Sequence, residues 1–136
     1  MPDGSRLSYA VPAGLEMELL WENASPTSEF AETKITFKDI GATLYLVEFK
    51  SYTDEVLGSI AFETGSTAVF SIGYGTDGYN VGAMTLFVRK ITESTNNSIT
   101  FGDGYYTNVH LNWQSWNRIG ILPVPFRIYG IKGVKV

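Results

Sequence analysis

The feature that most limits what this chain can become is an alternation of apolar and polar residues with period two, renewed in short segments along nearly its whole length. Leu15, Met17, Leu19 and Trp21 alternate with Glu16, Glu18 and Leu20, and Ile35 and Phe37 alternate within Lys34–Lys38. In "TLYLVEFKS", Tyr45, Val47 and Phe49 share one face, and Leu44, Leu46, Glu48 and Lys50 the other. Side chains of a β-strand point to opposite faces in turn, so this pattern predicts strands with one buried face. The third of these segments is expected to be central.

Gly, Pro and short polar runs separate the segments. "ENASPTSEFAET" reads as a loop pinned to the core by Phe30, because Pro26 lacks an N–H and Asn23, Ser25, Thr27 and Ser28 can bond their own backbone. "VLGSIAFE" and "AVFSIGY" flank Thr64-Gly65-Ser66 and read as a hairpin. Residues 73–82, with four Gly in ten, form the next loop and lead into "AMTLFVRKI". Beyond a polar loop at Thr92–Asn97, "SITF" is a short strand and Gly102-Asp103-Gly104 a turn requiring positive φ. The closing strand carries Pro123 and Pro125, which confine its start to a sheet edge or a bulge; Phe126, Ile128 and Ile131 are expected to point inward.

About nine strands at intervals near 8–12 residues, with no amphipathic helix and no repeat, predict an all-β fold. A β-sandwich, of which the jelly roll is one form, fits best. Residues 1–14 read as an irregular N-terminal arm and 15–136 as one domain. At this length one core suffices, since a domain of this size buries roughly two-thirds of the surface its unfolded chain exposes. Eight Phe, eight Tyr and three Trp are a large inventory for such a core. With the exposed edges of many short strands, they predict a homo-oligomer.

The chain has no Cys, which removes disulfides, thiolate nucleophiles and the usual zinc sets. A net charge of −4 argues against nucleic acid as a partner. No secretory leader or membrane-spanning run is evident, so a protein made in a cytoplasm without membrane insertion is expected. Charge is unevenly spread: residues 1–63 hold 11 acids against 4 bases, and residues 64–136 hold 3 against 6. Either this polarity orients copies in an assembly, or the strands interleave and it disappears in space.

Catalytic chemistry is thinly supplied. There is one His, His110, and no G-x-S-x-G elbow. Asp77, Asn80 and Asp103 offer too few oxygens for calcium, and "GYGTDG" lacks the Lys and the following helix of a phosphate loop. A pair of carboxylates remains open. The expectation is a binding or building protein without catalytic residues, metal or cofactor. One constellation suits a ligand: Tyr105, Tyr106, His110, Asn112, Trp113 and Trp116, interleaved with Asn108, Gln114 and Asn117. Aromatic faces meet sugar C–H groups while amides satisfy hydroxyls, so this mixture suits carbohydrate. It also suits a core or a subunit interface, which is the commoner use of such residues.

Two ends of the chain resemble a small β-domain of tailed-bacteriophage virion proteins. "ELLWENASPTSEFAETKITF" is similar to that family's Leu-Trp, Asn-x-x-Pro-Thr-Ser-x-Phe-Ala run leading into a strand, and "PFRIYGIKG", preceded by "SITFGDG", is similar to its closing strand. The matches cover about a third of the chain, in the family's order; residues 43–97 follow no such pattern. The resemblance implies a virion surface protein: a tail, baseplate or fibre component that attaches to the host surface, or a head fibre or decoration protein. It supplies no catalytic residues. Other virion proteins, a host glycan and further copies of the chain, as a trimer, are the partners it leads us to expect. A free-standing carbohydrate-binding module is the alternative.

Overall fold

The computed structural model describes residues 14–25, 30–50, 56–75, 84–109, 114–117 and 123–133, with the backbone alone for 74–75, 84–85, 106–109 and 114–117. These residues form nine strands: β1 (Leu15–Glu22), β2 (Thr33–Thr36), β3 (Leu44–Lys50), β4 (Val56–Glu63), β5 (Ala68–Gly75), β6 (Met84–Thr95), β7 (Ser98–Val109), β8 (Gln114–Asn117) and β9 (Val124–Gly133). Two antiparallel sheets pack as a sandwich. The first has the order β1-β9-β3-β4; the second has the order β2-β7-β6-β5, with the short β8 added to β7 beyond β2.

Tyr45, Val47 and Phe49 point between the sheets, fully buried, as the alternation predicts. Phe49 stacks on Phe70 of the opposite sheet at 4.2 Å, and a chain of edge-to-face contacts runs from Phe49 through Phe101 and Phe30 to Trp21. Each such pair adds about 0.5–1.5 kcal/mol beyond the area it buries. All eight Phe are buried or half-buried, so this part of the aromatic inventory is spent on the chain's own core.

Several local expectations change. Thr64-Gly65-Ser66 does not close a hairpin: β4 belongs to the first sheet and β5 to the second, so this turn carries the chain across the sandwich. Register slips by one residue between Leu19 and Trp21. Trp21 and Leu20 therefore pack on the core, whereas Met17 and Leu19 share the outer face with Ile131 and Tyr129. Ile131 is thus outward, although Ile128 is inward as expected. β9 lies between β1 and β3, so its prolines are accommodated by the second of the predicted routes, an irregularity where Phe49 faces Pro125. Phe126 is buried there beneath the Lys50 and Arg127 cations.

The interleaved order also resolves the charge asymmetry. Arg127, from the basic half, bonds Glu22 at 2.9 Å and lies 3.8 Å from Glu48, both from the acidic half. Burial alone would lower the Arg127 pKa, but the Glu22 hydrogen bond, with Tyr129 and the Glu22 and Glu48 charges, holds it above its ordinary value.

Tyr45 closes one end of the core, its hydroxyl donating to the Thr95 carbonyl at 2.5 Å. Desolvation and, secondarily, the charge of Asp39 raise its pKa. Tyr45→Phe is expected to cost about 1 kcal/mol at pH 8. Because the unfolded tyrosine ionises near pH ~10 before the folded one does, wild-type stability falls above that pH and the gap to the variant closes. Urea unfolding at two pH values checks this; a gap that widened in alkali would contradict it.

Candidate functional site

The second sheet carries its main irregularity where β6 and β7 pair. Arg89 faces Gly104 and Ile91 faces Phe101, which leaves one extra residue on β7; Ile91 to Glu93 then faces Phe101 to Thr100, which leaves one extra on β6. The two bulges cancel, so the register on either side is unchanged. Bulges of this kind re-aim side chains next to functional surfaces. The predicted turn at Gly102-Asp103-Gly104 is thus a bulge inside a twelve-residue strand, and neither glycine has positive φ.

Arg89 fixes this geometry from within. Its fully buried guanidinium donates to the carbonyls of Pro123 (2.9 Å), Gly102 (2.8 Å) and Phe30 (3.0 Å). Burial pushes its pKa down to about 10, which leaves it charged at neutral pH. On the outer side a Cβ at Gly102 would stand 3.0 Å from Thr92 Cγ2, so glycine is what lets Thr92 lie across the bulge.

The outer surface above the bulges is an open groove of about 460 Å³. β2 and the residue before it supply Glu32, Thr33 and Lys34; β6 supplies Lys90 and Thr92; β7 supplies Thr100, Phe101, Gly102, Asp103 and Tyr105. Lys34 stands opposite Thr100 in the ladder, which places the β2 lysine beside the distorted segment. Two ammonium groups, two carboxylates, threonine hydroxyls and the ring of Tyr105, the Phe101 side chain being buried in the core, suit a polar ligand bound by hydrogen bonds rather than an apolar one. No group of three or more His, Asp or Glu suited to a metal occurs among the described residues.

Of the residues singled out from the sequence, Tyr105 lines this groove. Tyr106 and Trp116 lie in the paired strands β7 and β8, opposite Asn117 and Thr107, with only their backbones described. His110, Asn112 and Trp113 lie outside the described residues. Glu32, Lys34, Lys90 and Thr92 escaped the sequence reading because they lie far apart in the chain; the signal that could have pointed to the groove is Gly102, which was read as part of a turn rather than as a glycine within a strand, which marks a bulge. The chain matches no family model, no curated protein and no solved structure.

Proposed function

We propose that this chain is a structural or accessory protein on the surface of a tailed-bacteriophage particle, a tail, baseplate or fibre component acting as a homotrimer, and not an enzyme. The observation that supports this reading is where the phage-like segments sit. "ELLW" in β1 pairs with "RIYGIKG" in β9 across more than a hundred residues of sequence. The following Asn23 bonds β9 twice, its N–H to Phe126 O at 2.8 Å and its Nδ2 to Pro125 O at 3.0 Å, while its Oδ1 accepts from Ser25 N. Phe30 of the same run packs on Phe101 of "SITFGDG". Segments that resemble the family separately therefore form one connected framework, as a shared fold requires. A head-fibre or decoration protein is the same reading at another place on the particle.

Proteomic detection of the chain in purified particles, with immunogold labelling to locate it, tests this reading. Its purified form should scatter light as three times the 15.0 kDa chain. Absence from particles, together with a monomeric mass, would sink the proposal.

The groove favours a second role for the same protein, contact with a host glycan. Tyr105→Ala should then lower the signal on a glycan array by about tenfold or more, the loss of roughly one aromatic contact plus its hydrogen bond. A folded variant that binds like the wild type would exclude Tyr105 from recognition.

A further inference from the structure

We infer that copies of this chain associate through the side of the sandwich formed by the β4 and β5 edges, an inference that rests on the homo-oligomeric reading above. Among the described residues each sheet has two edges, and they are not treated alike. On one side β1 carries Glu16, Glu18 and Glu22 and β2 carries Lys34. There Lys38 pairs with Glu18 of the other layer, and Phe37 N–H bonds Asn97 O, which extends the β2–β7 ladder beyond the strand. Charged side chains on an edge are a recognised means of preventing strand pairing, and three glutamates on one edge repel a second copy of themselves.

Among the described residues the opposite side lacks these charges. β4 and β5 together contain sixteen residues and one charge, Glu63, at the end beside the inter-sheet turn. Val56 and Val69 are 45% and 51% exposed, and Leu57, Ile60 and Ile72 are only half-buried behind them. The two edges approach closely, since a Cβ at Gly58 of β4 would sit 3.5 Å from Ile72 and Phe70 of β5. The β5 edge runs for about 26 Å at ~3.3 Å per residue, and the β4 edge is regular from Gly58 to Glu63, beyond a bulge at Leu57; both present a row of backbone N–H and C=O groups that another strand edge complements.

A second copy is the occupant these features fit. It brings edges of the same eight-residue length with one charge between them, so that among the described long edge strands a chain of net charge −4 meets least self-repulsion here. The presence of both edges on one side allows β4 of one protomer to face β5 of the next, a head-to-tail contact of the kind that forms a ring when its rotation closes. With the phenylalanines already committed to the core, it is the bare edges, not surplus phenylalanine, that supply the driving surface.

The test uses the full chain and the double variant Val56→Lys/Val69→Lys, with Leu15→Lys on the β1 edge as control. Circular dichroism should show all three folded, because each altered side chain is exposed. Light scattering across a dilution series should show the wild type and the control associating alike, and the double variant associating about tenfold or more weakly. In the wild type, amides of residues 56–63 and 68–75 should exchange more slowly as concentration rises. Undiminished association of the double variant, or exchange at those amides that ignores concentration, would overturn this interface while leaving an oligomeric virion protein intact. A monomeric wild type would overturn both.

Discussion

Replacing Arg89 with methionine is expected to lower folding stability by about 3–5 kcal/mol and the melting temperature by roughly 10–20 °C. The side chain is wholly buried, and among the described residues its partners are three backbone carbonyls and the ring of Phe30, 5.5 Å from the guanidinium carbon. Methionine fills much of the volume but donates nothing, so the carbonyls of Phe30, Gly102 and Pro123 lose their donor, each a loss of about 1–3 kcal/mol where water cannot replace it. Relief of the buried charge offsets part of that sum. Arg89→Lys keeps the charge without the planar fork and should fall between the two. Urea unfolding measures the difference, and amide exchange at Gly102 and Asp103 should quicken because the bulge loses its inner anchor. A methionine variant within about 1 kcal/mol of wild type would show that the carbonyls are satisfied without Arg89.

This residue marks the boundary of what the sequence could disclose. Arg89 shares the buried face of β6 with Phe87 and Ile91, but alternation only separates Thr85, Phe87 and Arg89 from Met84, Leu86 and Val88 and does not mark the set with the charge as the inner one; nor does anything in one dimension show which carbonyls would meet it. The strands themselves were legible because a half-buried sheet enforces period two: β1, β3, β4 and β5 begin and end within two residues of the alternating runs. Pairing was less legible. Thr64-Gly65-Ser66 has the chemistry of a hairpin turn, yet the partner of β4 is β3 and that of β5 is β6, and turn chemistry does not encode which strand will pair. Gly102-Asp103-Gly104 also has turn chemistry, and a buried cation made it a bulge. For the groove, Tyr105 alone was foreseen, since Lys34 and Lys90 meet only through the β2–β7–β6 register.

Framework and candidate surfaces therefore draw on different parts of the chain. The segments at the two ends of the chain hold β1, β9 and the start of β7 together, whereas the edges inferred to join copies lie in β4 and β5, in its middle.

Gly130 tests the framework half of that division. It lies in "IYGIK" on the inward face of β9, opposite Tyr45 and Glu18. A Cβ there would stand 2.8 Å from Leu20 Cδ1, 3.0 Å from Ile40 Cδ1 and 3.1 Å from Ala42 Cβ. The ends of Leu20 and Ile40 can turn aside; the Ala42 methyl moves only with its backbone. Gly130→Ala should therefore cost about 1–3 kcal/mol through overpacking rather than through φ, which is not positive at this position. Overpacking predicts a compensating partner. Leu20→Ala alone opens a cavity, but with Gly130→Ala the new methyl enters that space, so the double variant should be more stable than the sum of the single effects by about 1 kcal/mol or more. Strict additivity would mean that Leu20 does not fill the space beside Gly130, and that the glycine of this closing strand is required for a reason other than the packing of β1 and β9.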